Sequence, residues 1–182
     1  MIEIEKKCWL KDPERMLADL HKNAHYIKKS RKEDVYFIHK DYNSSHSINR
    51  DDKIFRLRIE EGKHIVTFKE KRIEKGIEIN QENEFFVSDQ NSFLQFVQYI
   101  DYQELVTKVK EVELFKYNDI SVEYVFLHGL GYFLEAEILC QDESEVNLAV
   151  NKIDTLFTEL NIDPASVEEK MYIDLLLKKK KG

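Results

Sequence analysis

The chain has 182 residues, of which 35 are acidic and 28 basic, so its formal net charge at pH 7 is −7. This balance argues against a general nucleic-acid binder, which would carry a basic patch or stripe, but it leaves room for a local basic pocket that holds a small anion. No apolar run approaches the roughly 20 residues that a membrane-spanning helix requires. The first residues, with Glu3 and Glu5, lack the basic and then apolar pattern of a signal peptide. We therefore expect a cytoplasmic protein, built as a single domain over 1–182, that binds neither membranes nor nucleic acid.

Eight segments with strand-like patterns predict β-strands. In chain order they are residues 2–10, 35–38, 54–60, 64–71, 77–87, 104–117, 119–126 and 132–140. The connections are short, which favours antiparallel pairing. Glu61-Gly62-Lys63 predicts a hairpin, turns are expected at 117–119 and 129–131, and the polar segment 42–52 predicts a loop.

Helices are predicted after the first strand, in the middle of the chain and at its C-terminal end. Asp12 is expected to cap the first helix with Pro13 in its first turn, and Asp89 to cap the second. Two further helices are expected at 143–160 and 166–178. Together these elements predict an α+β fold in which helices flank an antiparallel sheet or barrel.

The two cysteines, Cys8 and Cys140, each lie inside an apolar strand-like run. Two such positions favour buried thiols over a disulfide framework.

Charged residues recur at every second position of the strands, so each pair shares one face. The first strand places Glu3, Glu5 and Lys7 together. Later strands carry charged pairs with the same spacing: Arg56 and Arg58, Lys108 and Lys110, Glu135 and Glu137. On one further strand Lys69 shares its face with the polar Thr67. The pattern fits a solvated sheet face, but it also fits a closed barrel with a charged interior. The second interpretation is favoured because acidic pairs lie on the first and last strands and basic pairs on the middle ones.

A charged interior requires partners for its charges. The carboxylates of Glu3, Glu5, Glu135 and Glu137 are hard oxygen ligands suited to Mg²⁺ or Mn²⁺. The six cations of the pattern exceed what one phosphate needs: Lys7, Arg56, Arg58, Lys69, Lys108 and Lys110. A metal ion and this many cations together favour a triphosphate as the ligand.

Glu3-Ile4-Glu5-Lys6-Lys7 resembles the ExExK signature of the CYTH superfamily, the triphosphate tunnel metalloenzymes. The resemblance extends in order over almost the whole chain. The other matching segments are Asp34 to Phe37, Arg56 to Arg58, Thr67 to Lys69, Glu82 to Glu84, Lys108 to Lys110, and Gly129 to Glu137. The sequence departs from the family pattern at Lys110, where Arg is common, and in having no Arg just before Glu82.

The resemblance implies an eight-stranded antiparallel β-barrel, flanked by helices, that binds a triphosphate inside it. It implies metal binding by Glu3, Glu5, Glu135 and Glu137, and phosphate binding by Lys7, Arg56, Arg58, Lys69, Lys108 and Lys110. Of these residues Lys7, Arg58 and Lys69, together with Glu123, are predicted to be catalytic.

The segments at 34–37, 129–131 and 169–176 look most like class IV adenylyl cyclases, which convert ATP to cyclic AMP and pyrophosphate. The same residues also fit an inorganic or thiamine triphosphatase, or a protein that binds a triphosphate or nucleotide without turnover. A homodimer is compatible with the sequence, which does not decide the oligomeric state.

Overall fold

The computed structural model describes the backbone of residues 2–42, 53–74 and 77–181 and the side chains of 2–42, 53–68 and 83–180. The predicted loop at 42–52 lies almost entirely outside the described residues. The strands are β1 (Ile2–Trp9), β2 (His25–His39), β3 (Phe55–Glu60), β4 (Lys63–Glu74), β5 (Ile77–Phe86), β6 (Tyr102–Tyr117), β7 (Ile120–Leu127) and β8 (Gly131–Cys140). The helices are α1 (Pro13–Asn23), α2 (Gln90–Tyr99), α3 (Val146–Glu159) and α4 (Tyr172–Lys181), with single 3₁₀ turns at Glu143–Glu145 and Pro164–Ser166.

The strands pair in the order β1-β5-β4-β3-β2-β6-β7-β8, and β8 pairs with β1, so the series of hydrogen-bonded neighbours closes as a barrel. The pairs with a resolved register are all antiparallel. The prediction of an α+β fold with eight antiparallel strands and flanking helices is therefore confirmed. None of the described helices has the length and apolar character needed to cross a membrane.

Local signals in the sequence produce several of these elements. The Asp12 side chain accepts a hydrogen bond from the backbone of Arg15 at the start of α1, which satisfies an otherwise unpaired donor. Glu61 and Gly62 both adopt positive φ angles, 50° and 75°, as the two central residues of a tight hairpin turn require.

Two elements differ from their predicted bounds. β2 begins at His25 rather than near 35, because its first half is rich in basic residues and is held by strand pairing rather than by an apolar alternation. α4 begins at Tyr172 rather than at 166. The preceding segment is used for strand-like pairing instead, since Val167 bridges to Cys8 and the backbone N–H of Glu168 donates to the carbonyl of Lys7 at 2.9 Å.

The chain divides into two compact units. The first unit comprises Met1–Ser30, Glu70–Gln81 and Lys110–Glu169, and the second comprises Arg31–Lys69, Glu82–Val109 and Lys170–Gly182. In the first unit, alternate side chains of β1, β7 and β8 face α1 and α3. The fully buried members of this core include Ile4, Cys8, Leu20, Val122, Leu134, Ala136, Ile153 and Leu156.

The second unit has a smaller core, formed by Phe37, Leu57, Val66 and Val97, with Phe93 packed at its edge. In both units the apolar side chains of a strand face a helix, so their charged neighbours point to the opposite face. Both cysteines are free and buried, as predicted, and burial raises the pKa of the Cys8 thiol to about 12.

We expect Leu156→Ala to lower the free energy of unfolding by about 2–5 kcal/mol, because this α3 side chain is only 1% exposed and its truncation leaves a cavity. Leu148→Ala is the matched control on the same helix, where the side chain is 59% exposed, and it should change stability by no more than about 0.5 kcal/mol. Urea unfolding measures both values. Equal losses for the two variants would contradict the packing of α3 described above.

Candidate functional site

The second unit contains a buried carboxylate surrounded by cations. Asp34 lies on β2, where it is opposite Arg58 of β3, and Tyr36 is opposite Arg56. We call Asp34, Arg56, Arg58 and Lys108 the Asp34 cluster. Because paired strand residues point to one face, the register alone brings the two arginines beside the carboxylate.

Asp34 forms the centre of this cluster and is 0% exposed. Arg58 grips it with two hydrogen bonds, Nε to Oδ1 at 2.7 Å and Nη2 to Oδ2 at 3.0 Å. Lys108 Nζ lies 2.9 Å from Oδ2, and Arg56 Nη1 lies 3.6 Å from the same oxygen. The two-pronged arginine contact fixes the direction of the guanidinium as well as its charge.

Burial by itself raises the pKa of the Asp34 carboxyl, but the charges of Lys108, Arg56 and Arg58 outweigh this effect and hold the pKa well below its usual value of 3.8. Tyr36 responds to the same cations. Burial raises the pKa of its hydroxyl, while Lys108 and Arg56 lower it, and the balance is a lowered pKa.

Lys108 also lies between two aromatic rings. Its Nζ is 5.5 Å from the ring centroid of Tyr36 and 5.5 Å from that of Tyr172, the first residue of α4. Both distances are within the range of a cation–π interaction. The ammonium is therefore held by a carboxylate and two rings, which fixes its position more firmly than the charge pair alone would.

The first unit contains a second buried charge group, which we call the Lys110 cluster: Lys110, Glu123 and Glu135. The Lys110 ammonium donates to Glu123 Oε2 at 2.7 Å and to Glu135 Oε2 at 2.8 Å. Glu123 and Glu135 are opposite each other in the β7–β8 register, so one cation separates two carboxylates that would otherwise repel each other.

The charged face continues from this cluster along β8 and β1. Lys7 is opposite Glu135, and Glu5 is opposite Glu137, in the pairing of the two strands. Lys7 is buried, and its carbonyl accepts the hydrogen bond from Glu168. Glu3 lies on the same face of β1, one alternation before Glu5. The predicted metal ligands thus share one face of two paired strands.

The donor set of this face fits a hard divalent cation, because it consists of carboxylate oxygens. Oε1 of Glu135 supports the same conclusion: it is buried and accepts no hydrogen bond from any described group, whereas Oε2 is held by Lys110. In this conformation, however, no three His, Cys, Asp or Glu side chains among the described residues are arranged to hold a metal ion. The assignment of Glu3, Glu5, Glu135 and Glu137 to metal therefore stays a prediction.

The six cations that the sequence predicts as phosphate ligands do not all belong to one of these clusters, and the predicted pair Lys108 and Lys110 is divided between the two. Arg56, Arg58 and Lys108 come together, whereas Lys110 contacts carboxylates within its own unit. Lys69 lies on β4, and its side chain is outside the described part of the chain. Its neighbour on the same face, Thr67, is buried and donates to Glu84 at 2.8 Å.

Sequence reasoning missed three residues of the Asp34 cluster and its surroundings. Asp34, Tyr36 and Tyr172 belong to segments quoted for the family resemblance, but none of them was given a role. A signal was present for Asp34, because an aspartate inside an otherwise apolar strand segment is rarely buried without paired cations. No signal identified Tyr172, since its contact with Lys108 depends on where α4 packs.

The fold is an eight-stranded antiparallel barrel with flanking helices and buried charge clusters, and a known domain family has the same pattern of sequence. Residues 1–172 match the CYTH domain, and the chain belongs to this family. It is similar over 178 residues to a Methanocaldococcus jannaschii protein named "Putative adenylate cyclase", with 29% identity over 96% of this chain and 98% of the relative.

Solved structures show the same fold. A Pyrococcus horikoshii OT3 protein superimposes with a TM-score of 0.83 at 23% identity, covering 97% of this chain and 99% of the other. A Hippeastrum protein, described as having a dominant triphosphatase activity, gives a TM-score of 0.67 at 13% identity, with 99% and 95% of the two chains covered.

We expect Asp34→Asn to lower the free energy of unfolding at pH 7 by about 3–5 kcal/mol, because it removes the carboxylate that two buried cations and the half-buried Arg58 share. A carboxyl with a lowered pKa in the folded protein stabilises it fully above its unfolded value of 3.8 and loses this effect as the pH falls toward the folded value. The difference between the variant and the natural protein should therefore shrink at about pH 3.

Urea unfolding at both pH values tests this expectation. Asp41→Asn is the control, because that side chain is 92% exposed and its replacement should change stability by no more than about 0.5 kcal/mol. A loss for Asp34→Asn that stays constant between the two pH values would contradict the charge-based explanation.

Proposed function

We propose that this protein is a metal-dependent enzyme that acts on a triphosphate, and that its reaction is the conversion of ATP to cyclic AMP and pyrophosphate. The observation that carries the proposal is the Asp34 cluster, in which two guanidiniums and one ammonium converge on one buried carboxylate. Similarity along nearly the whole chain to the Methanocaldococcus jannaschii protein supports the choice of the cyclase reaction.

The role of the Asp34 cluster follows from its charge. Two guanidiniums and one ammonium converge on Asp34, and these are the side-chain groups that bind phosphoryl oxygens. Asp34 fixes the two guanidiniums and the ammonium in advance, so binding does not have to order long side chains. Arg56, Arg58 and Lys108 are the proposed phosphate-binding residues of this unit, and Lys7, Lys69 and Lys110 complete the proposed set.

The carboxylates of Glu3, Glu5, Glu135 and Glu137 are the proposed ligands of Mg²⁺ or Mn²⁺. When bound, the cation supplies charge neutralisation and Lewis acidity at the phosphoryl oxygens. Lys7, Arg58 and Lys69 would stabilise the charge that develops on phosphate in the transition state. Glu123 has a supporting part in this proposal, since it holds the ammonium of Lys110 at 2.7 Å.

A triphosphatase is the second candidate, because the described residues assigned to the site are phosphate and metal ligands, and none of them is assigned to the nucleoside. The same side chains would contact a triphosphate whether a ribose hydroxyl or a water attacks it. Inorganic and thiamine triphosphate are the substrates to compare with ATP. Binding without turnover is the third possibility.

Product analysis distinguishes the three. The protein is incubated with Mg²⁺ or Mn²⁺ and each substrate, and the products are separated by ion-exchange chromatography. Cyclic AMP with an equal amount of pyrophosphate supports the cyclase. Release of orthophosphate, without cyclic AMP, overturns it in favour of a triphosphatase, and binding of ATP without any product identifies a receptor.

We expect Glu135→Gln to lower metal-dependent turnover about 100-fold or more, because the loss of a metal ligand removes several kcal/mol of transition-state stabilisation. Glu14→Gln is the matched control on the exposed first turn of α1, and its turnover should equal that of the natural protein. Circular dichroism confirms that both variants fold. Full activity in Glu135→Gln would overturn the metal assignment.

A further inference from the structure

We infer that Lys110 makes the carboxylate site selective for a metal ion that arrives together with a polyphosphate, so that the metal alone binds weakly. The inference rests on the proposed function, because it concerns the same carboxylates. It deepens that function by naming the form of the ligand, which is a metal–polyphosphate complex rather than a metal followed by an anion.

The first observation is that the ammonium already occupies the position of a cation. Lys110 Nζ lies 2.7 Å from Glu123 and 2.8 Å from Glu135, and the three side chains are only 6%, 15% and 10% exposed. Charge-assisted hydrogen bonds of this length are among the strong ones. A metal ion that takes Glu135 as a ligand must compete with the ammonium for this carboxylate.

The second observation is the state of Glu135 itself. Its residue exposure is 8%, and its Oε1 has no hydrogen-bond partner among the described groups. Lys110 holds Oε2, while the buried Oε1 accepts no hydrogen bond from a described group and can coordinate a metal ion. Glu135 can therefore bind a metal ion through Oε1, although its negative charge is already partly neutralised by Lys110.

The energetic consequence depends on what else arrives. If a metal ion enters alone, it places a second positive charge beside a buried ammonium and weakens one of its carboxylate contacts, which is costly for side chains with so little exposure to solvent. If the metal enters with a polyphosphate, a phosphoryl oxygen can accept the hydrogen bond that Lys110 gives up. Lys110 then contacts phosphate, as the sequence pattern predicts, and Glu135 binds the metal.

Calorimetry tests the coupling without relying on turnover. Mn²⁺ is titrated into the protein, and diimidotriphosphate, whose bridging nitrogens resist hydrolysis, is titrated with and without Mn²⁺. We expect Mn²⁺ to tighten the binding of diimidotriphosphate about 10-fold or more, and by reciprocity the anion tightens the binding of the metal equally. Equal affinities with and without Mn²⁺ in the natural protein would overturn the inference, and this measurement needs no variant.

Lys110→Met provides the direct test. This variant should bind Mn²⁺ alone about 10-fold more tightly than the natural protein and should show a weaker coupling to the anion, because only the contribution of Lys110 is removed. Lys152→Met is the control, because Lys152 pairs with the exposed carboxylate of Asp119 at the surface and its removal should leave both affinities unchanged. Unaltered Mn²⁺ affinity in Lys110→Met would overturn the inference.

Failure of the proposed function has a different signature. If the protein shows the coupling but forms no product from any triphosphate, the inference holds and the proposed enzymatic function is wrong. If the protein turns over ATP but binds Mn²⁺ equally well with and without Lys110, the proposed enzymatic function holds and the inference is wrong.

Discussion

Burying charge on the face of a strand opposite the helices is the constraint on which this fold depends. Among the described side chains, the apolar ones of β1, β7 and β8 pack against α1 and α3, and those of β2, β3 and β4 pack against α2. Strand geometry then forces the alternating residues to the other face. Charges there cannot rely on water, so they must find partners within the protein. In the Asp34 cluster one carboxylate contacts three cations, and in the Lys110 cluster one ammonium contacts two carboxylates.

The central residue of each cluster has the opposite charge to the residues around it. The Asp34 carboxylate and the Lys110 ammonium therefore each hold like charges together. Asp34 fixes the directions of three long side chains that could otherwise adopt many rotamers. Lys110 reduces the repulsion between two facing carboxylates. Neither centre would be singled out by a search for the largest group of like charges. Each is the minority charge of its cluster.

Much of the fold follows from the sequence because its signals are local. The alternation in β1 and β8, the cap at Asp12 and the turn at Glu61 and Gly62 need no distant partner to be recognised. The first half of β2 was missed because strand pairing, and not an apolar pattern, makes it extended. The late start of α4 was missed because Val167 and Glu168 use their backbone to pair with β1.

The candidate site was predictable as a set of residue types and not as a set of contacts. Alternation placed Arg56 and Arg58 on one face, but only the register of β2 against β3 brings Asp34 beside them. Lys110 was predicted to contact phosphate, and its two carboxylate partners depend on the pairing of β6, β7 and β8. The charge and spacing of these residues can be read from the sequence. Which carboxylate each cation contacts depends on the pairing of strands that are far apart along the chain.

The pairing of β1 has a consequence for how the protein folds during synthesis. This first strand is completed by β8 and by the segment before α4; the hydrogen bond from Trp9 to Glu168 joins residues 159 positions apart. The other neighbour of this strand, β5, is made much earlier, so β1 can pair on one edge while the other edge waits for β8. Since contacts between distant residues slow folding, the pairing of β1 with β8 is expected to be a late step, and the carboxylates on β1 face Glu137 and its neighbours only after β8 has been made.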